Sequence, residues 1–105
     1  MSHHYPQTVT PATGRKTVAA TGTPEALTTG HVYAQSVELV AQKQQGSANA
    51  GTVYIGWTSG NGEQDRPLAP GDTWVITAPD GKKLDLAEIY IDPANPGDGV
   101  TWTAV

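Results

Sequence analysis

The chain has 105 residues, the size of one ordinary domain, and its formal net charge is −4. Only 37% of the residues are hydrophobic, and the remainder is rich in Gly, Pro and Thr. The absence of cysteine excludes disulfides, zinc–thiolate sites and thiol catalysis, and no apolar run approaches the roughly 20 residues that a membrane helix needs. Because the chain is acidic, we expect no nucleic-acid partner, and we expect no membrane partner.

The start of the chain predicts an extended arm. Residues 1–15 contain two prolines and show no hydrophobic periodicity, so they offer little to bury in a core. We therefore expect an N-terminal arm over residues 1–15 and a single domain over residues 16–105. A slightly basic arm on an acidic body suits docking on another protein, because complementary charge steers association. Tyr5, Arg15 and Lys16 are the candidate partner contacts.

The next part of the chain contains three predicted elements. Residues 16–20 form a first short strand. Thr23 followed by Pro24 is typical of a helix start, and Gly30 limits that helix to about one turn. The segment 31–45 satisfies both a strand and a helix period, and we prefer a strand because its surroundings are rich in strand-forming residues.

The second half of the chain predicts strands separated by turns. Alternating apolar residues indicate strands at residues 52–57, 73–77, 86–91 and 100–105. In the third of these, Ala87, Ile89 and Ile91 are expected to share one face. Pro, Gly, Asn and Asp punctuate the intervals between strands. The expected fold is all-β, an antiparallel two-sheet β-sandwich, jelly-roll-like, with about six to eight short strands.

Candidate catalytic and metal sites are few. His31 is the only histidine outside the arm, and no nucleophile is paired with it in the sequence. The carboxylate pairs Glu63/Asp65 and Asp85/Glu88 fit a solvated charge pattern better than glycoside hydrolysis. We therefore expect a protein that is not an enzyme and that has no cofactor and no catalytic or metal-binding residues.

Two further patterns each allow two interpretations. Asp92, Asn95 and Asp98 carry oxygen ligands that calcium accepts, but the same residue types build tight turns, and we favour a turn. The second pattern is a tryptophan at a similar position in three strands: Trp57, Trp74 and Trp102. On an exposed face they would form a carbohydrate platform, whereas their apolar neighbours favour packing in the core.

The order of motifs in the second half resembles a known class of viral proteins. The motifs are Ala50-Gly-Thr-Val-Tyr-Ile-Gly56, Pro67-Leu-Ala-Pro-Gly-Asp72, Leu84-Asp-Leu-Ala-Glu-Ile-Tyr-Ile91 and Gly97-Asp-Gly-Val-Thr-Trp102. This order is similar to that in small β-sandwich structural proteins of tailed bacteriophages, which include the capsid decoration or cement proteins. Two upstream segments, Glu25-Ala-Leu27 and Ser36-Val-Glu-Leu39, fit the same order, so the resemblance covers about residues 17–105. The motifs consist of turn and core residues, and none is a catalytic signature.

The resemblance implies a non-enzymatic virion protein. Proteins of this class bind the outer surface of a capsid, commonly as trimers between capsomers, and stabilise the shell. We therefore expect the major capsid protein as a partner, a homotrimer as the assembly, and the outer capsid surface as the location. The alternative is a carbohydrate-binding or adhesion module of a tail or head fibre that uses an exposed tryptophan.

Overall fold

The computed structural model describes residues 10–105, and this part of the chain is all-β with antiparallel pairing. Its elements are β1 (Ala12–Thr17), β2 (Glu25–Ala26), β3 (Tyr33–Ala34), β4 (Ser36–Val40), β5 (Gln42–Gln44), β6 (Ser47–Ala48), β7 (Val53–Gly56), β8 (Arg66–Leu68), β9 (Thr73–Thr77), β10 (Leu84–Asp85), a 3₁₀ turn (Leu86–Glu88), β11 (Tyr90–Pro93) and β12 (Gly99–Ala104). The prediction of a strand rather than a helix in residues 31–45 is confirmed. Within residues 10–105, no helix is long and apolar enough to cross a membrane.

Two four-stranded sheets contain most of the strands. The first sheet has the order β1-β12-β4-β9, and the second has the order β2-β11-β7-β8. Two shorter ladders, β3 with β10 and β5 with β6, complete the described part of the chain. Eight strands thus form the two larger sheets, and four form the short ladders.

Both larger sheets contribute side chains to one hydrophobic core. Alternation along each strand places one set of residues inward, as in β12, where Val100, Trp102 and Ala104 are buried. Leu39 of β4 and Ile55 of β7, from opposite sheets, belong to the same buried cluster. The alternation in β12 is the one that the apolar pattern of the second half predicted.

A close approach between β1 and β12 explains a glycine in the first strand. Gly14 is the register partner of Trp102, whose side chain is 9% exposed. A Cβ atom at position 14 would lie 2.6 Å from the Trp102 ring, so a larger residue would displace the indole. The absence of a side chain at Gly14 therefore lets the indole cover the backbone of the edge strand.

The boundary between arm and domain lies earlier than predicted. β1 begins at Ala12 and pairs with β12 from Ala12↔Ala104 to Thr17↔Gly99. Residues 12–15 are consequently part of a sheet and not of a free arm. The backbone of residues 12–15 forms its hydrogen bonds with β12, a distant segment, and a local sequence pattern does not reveal such pairing.

Two other predictions of local structure were wrong. The helical turn after Thr23 is replaced by β2, because Glu25 and Ala26 pair with β11 and the Leu27 amide donates to the carbonyl of Ile89. The strand predicted over 86–91 is interrupted by the 3₁₀ turn, which moves the buried face to Leu86, Ile89 and Ile91.

The molecule has two ends that differ in character. The Asp98 end comprises the loops 18–24, 45–52, 69–72 and 94–98. The Tyr33 end comprises the segments 27–35, 57–60 and 78–89 together with Val105, whereas Asn61 lies beside Gly22 of the loop 18–24. The strand register places the start of β1 at the Tyr33 end, since Ala12 pairs with Ala104.

Candidate functional site

The three predicted contact residues have different surroundings. Tyr5 lies outside the described residues. Arg15 is exposed and its guanidinium donates to Gln44 Oε1 at 3.1 Å. Lys16 projects towards the second sheet, where its ammonium group forms an ion pair with Glu25 at 2.9 Å. Lys16 thus joins the two sheets at the β1–β2 side, and Arg15 is the more accessible of the two cations.

A cationic groove lies beside β1. It is lined by two residues of β1, Arg15 and Lys16, and by Lys43 of β5 with Gln44 and Ser47. Three of the six Lys and Arg residues in an acidic chain therefore meet at one place. Lys43 was not among the predicted contacts, because only the folding of β5 towards β1 brings it close.

The Tyr33 end carries an exposed aromatic pair. The rings of His31 and Tyr33 stack at a centroid distance of 5.9 Å, and Tyr33 is 65% exposed. His31 Nδ1 donates to Asp85 Oδ2 at 2.6 Å, which fixes the imidazole orientation. The side chains of Trp57 and Val105 are also about half exposed at this end. The end therefore exposes several large apolar side chains.

The carboxylate beside His31 is stabilised in its charged form. Partial burial raises the pKa of Asp85, but hydrogen bonds from the Ala87 amide and His31 outweigh burial, so the pKa lies below its ordinary value. Asp85 also caps the 3₁₀ turn by accepting from the Ala87 amide at 3.0 Å. The pair between His31 and Asp85 was not predicted, since 54 residues separate the two in the chain.

The three tryptophans do not share one environment. Trp102 is buried in the core, as predicted, whereas Trp57 is 48% exposed, contrary to the core interpretation. Trp74 is half-buried, and the guanidinium of Arg66 lies 4.8 Å from its ring centroid. Trp57, Trp74 and Arg66 line one open groove of about 370 Å³ together with Glu63 and Asp65.

The loop that borders this groove is held by internal hydrogen bonds. The amide of buried Gln64 donates to the carbonyls of Thr58 at 2.7 Å and Gly60 at 2.9 Å. The Thr58 hydroxyl donates to Glu63 at 2.9 Å. Glu63 thus accepts a hydrogen bond from within its own loop.

The Asp98 end is built from buried polar groups. The carboxylate of Asp98, fully buried, accepts from the backbone amides of Ala50 at 3.0 Å and Gly51 at 2.9 Å, and Lys43 lies 3.8 Å away. Asn49 exchanges two hydrogen bonds with the backbone of Gly99. These contacts tie the loop 45–52 to the start of β12.

Two of the three side chains considered for calcium accept hydrogen bonds from other segments. Asp92 accepts from the amide of Gly22 at 2.9 Å, and Asp98 binds the loop 45–52, while the backbone carbonyl of Asn95 accepts from the amide of Asp98. Among residues 10–105 no group of three or more His, Asp or Glu side chains is arranged to hold a metal ion. The arrangement of these three residues is that of a hydrogen-bonded turn.

The chain matches no protein-family model, no curated protein and no solved structure. The resemblance to phage structural proteins therefore depends on the quoted sequence motifs alone. Three exposed features stand out in the described residues: the cationic groove, the Tyr33 end and the groove at Trp57.

Proposed function

We propose that this chain is a non-enzymatic virion structural protein, a decoration protein that binds the major capsid protein on the outer capsid surface. The observation that carries the proposal is the placement of exposed apolar side chains at the Tyr33 end, where β1 also begins. Among the described residues, none of the large exposed hydrophobic side chains lies at the Asp98 end. An end that exposes Tyr33, Trp57 and Val105 is suited to rest on a protein shell, because clustered apolar surface marks interaction sites.

The cationic groove offers a second contact surface, which lies nearer the Asp98 end because its Lys43 is 3.8 Å from Asp98. The chain enters β1 at the Tyr33 end, since Ala12 pairs with Ala104. Tyr5 in the arm and Arg15 in the groove are the proposed partner contacts, whereas the ion pair with Glu25 assigns Lys16 mainly to the fold. Acidic groups on the shell would complement the groove.

The finer features of the fold belong to the same proposal. We propose that the two four-stranded sheets form a two-sheet β-sandwich with a jelly-roll-like path, the architecture of the class that the motifs resemble. A homotrimer would add neighbours to a domain with only 37% hydrophobic residues. A threefold assembly also suits the junctions between capsomers.

Binding to capsids that lack the protein provides the main test. The full chain is expected to sediment with capsids at a saturating copy number in the hundreds, and quantitative mass spectrometry of purified virions should give the same number. Tyr33→Ser with Trp57→Ser should weaken binding at least about tenfold, which corresponds to about 1.4 kcal/mol. Tyr54→Ser, an exposed aromatic position on the outer face of the second sheet, is the matched control.

A shortened chain tests the arm. Removal of residues 1–9 leaves β1 intact, whereas removal of residues 1–15 would delete most of a paired strand. The shortened protein should keep the circular dichroism spectrum of the full chain and bind capsids more weakly. Full capsid affinity after the deletion would exclude a role of the arm, and failure of the complete chain to bind capsids would contradict the proposed function.

The groove at Trp57 favours a second candidate function, a carbohydrate-binding module. It combines an exposed indole with planar polar side chains, Asp65 and Arg66, which are suited to bind sugar hydroxyls. Titration of tryptophan fluorescence with polysaccharide from the host cell surface tests this function. A response that Trp57→Ala removes, in a chain that does not bind capsids, would favour the carbohydrate module.

A further inference from the structure

The four edge strands of the two larger sheets are not equally protected against pairing. β1 carries Arg15 and Lys16, β2 is two residues long and carries Glu25, and β8 contains Arg66 and Pro67 within three residues. Charge, shortness and proline are the means by which natural proteins prevent edge strands from pairing with another chain. β9 has five residues, Thr-Trp-Val-Ile-Thr, with no charge and no proline. It is the unprotected edge of the described structure.

Hydrogen bonds on either side of β9 show which of its backbone groups face outward. The Ala78 amide donates to the carbonyl of Gln35, and the Ala41 amide donates to the carbonyl of Asp72. Along an antiparallel ladder, hydrogen-bonded residue pairs alternate with pairs that are not hydrogen-bonded. These two bonds therefore show which of the five β4–β9 pairs between them are hydrogen-bonded.

Three residues of β9 consequently have free backbone groups. Trp74 and Ile76 exchange hydrogen bonds with β4, whereas Thr73, Val75 and Thr77 direct their N–H and C=O groups away from the sheet. No other strand within residues 10–105 pairs with this side of β9. The side chains of the same three residues are exposed, and Val75 is 54% exposed.

The core is also incomplete at this edge. Trp74 and Ile76 face the core but remain half-buried, while their partners on β4, Leu39 and Val37, are fully buried. An additional strand beside β9 would cover the exposed part of both side chains. Burial of apolar surface would therefore add to the backbone hydrogen bonds that such a strand forms.

The sequence of β9 is complementary to itself in antiparallel orientation. With Val75 at a two-fold axis, Thr73 lies opposite Thr77 of the second copy, and Trp74 lies opposite its Ile76. Thr–Thr and aromatic–β-branched pairs are favourable across strands, and no like charges meet. The three outward-facing residues then form three hydrogen-bonded pairs, about six hydrogen bonds at two per pair.

We propose that β9 is a self-recognition edge, at which a second copy of this chain pairs antiparallel to it about a two-fold axis at Val75. The first sheets of the two copies become one continuous sheet. The contact is isologous, because the same strand of both copies forms it, and two-fold dimers are the commonest homo-oligomers. The contact lies at the edge of the first sheet opposite β1, so it does not depend on the proposed capsid function and is compatible with a separate threefold contact.

Sedimentation equilibrium of the full chain tests the proposal. The wild type is expected to form dimers, or even multiples of the monomer if a threefold contact is also present. Val75→Lys places two ammonium groups next to each other at the axis and should raise the dissociation constant of the pair at least about tenfold. Thr103→Lys, which adds the same charge to an exposed residue on the same face but in the interior strand β12, should leave the assembly unchanged.

A single cysteine gives a second readout, because the chain contains none of its own. Val75→Cys should form a covalent dimer with a short bifunctional thiol crosslinker, whereas Thr103→Cys should not. We expect both variants to keep the monomer fold, because both sites are exposed. Thermal unfolding of each variant checks this.

Three results would overturn the proposal. The first is a wild-type chain that stays monomeric at several hundred micromolar. The second is a trimer or other assembly that Val75→Lys does not change. The third is equal crosslinking at positions 75 and 103. Capsid binding that persists while dimerisation fails would reject the self-recognition edge and leave the proposed function standing.

Discussion

The two ends of the molecule use polar residues in opposite ways. At the Asp98 end, buried side chains such as Asn49 and Asp98 satisfy loop backbone groups, and the described residues expose no large apolar side chain there. At the Tyr33 end, His31 and Asp85 form a hydrogen bond near the surface while aromatic rings face the solvent. The difference is that the buried polar groups of the Asp98 end hold loops together, whereas the Tyr33 end leaves apolar side chains exposed.

Among residues at the two ends, the largest effect is expected at Gly99. A Cβ atom there would collide with the carbonyl oxygen of Lys16, which belongs to the backbone of the neighbouring strand. Gly99→Ala should lower the free energy of unfolding by about 3 kcal/mol, measured by urea denaturation. Gly30→Ala at the Tyr33 end, where a Cβ atom would have no neighbour within 4 Å, is the control and should change stability little. Similar losses for both variants would contradict the assigned difference between the ends.

Asp98→Asn tests the hydrogen bonds of the buried carboxylate. Each oxygen of the carboxylate accepts from one backbone amide, that of Ala50 or that of Gly51. In the variant one oxygen is replaced by an amide nitrogen, which cannot accept, so one of the two hydrogen bonds is lost. The expected loss is about 2 kcal/mol in the free energy of unfolding. Asp80→Asn, an exposed carboxylate in the loop after β9, serves as the comparison. If both variants unfold at the same urea concentration as the wild type, Asp98 does not hold the loops together.

A smaller and pH-dependent effect is expected for Asp85. Its pKa is lower in the folded chain than in the unfolded chain, so its ionisation stabilises the fold above about pH 4, the ordinary range for aspartate. That contribution is lost as the pH falls through the lowered pKa. The melting temperature of Asp85→Asn should therefore lie below that of the wild type at pH 6, with the gap narrowing below pH 4. A gap independent of pH would contradict the ionisation argument, and Glu88→Gln controls for loss of charge.

The smallest effect on stability is expected at Trp57. Since its side chain is about half exposed, Trp57→Ala should change the free energy of unfolding by no more than about 0.5 kcal/mol. Trp102→Ala, which empties part of the core, should cost about 3 kcal/mol or more. Denaturation curves of the two variants make the comparison. An equally large loss at Trp57 would show that the Tyr33 end stabilises the fold and is not primarily a contact surface.

The alternating pattern of apolar residues in several segments was sufficient to predict the all-β class. Large apolar residues recur at alternate positions in β7, β9 and β12, and the structure has strands at those places: Val53 and Ile55, Trp74 and Ile76, and Val100 and Trp102. The pattern is local, and a period of two is a property of strand geometry that needs no knowledge of the rest of the chain. The cationic residues Arg15 and Lys16 were also visible as a pair.

Contacts between distant segments decided the rest. Arg15 and Lys43 share a groove, His31 meets Asp85, and Trp57 is exposed while Trp102 is buried, although both follow similar local patterns. Likewise, the lack of protection at β9 becomes meaningful only once β9 is known to be an edge strand. Composition and alternation determine which segments form strands, because those preferences act within a few residues. Sheet order depends on pairing between segments that are far apart, so the tertiary structure alone decided which edges and ends of the molecule remain open.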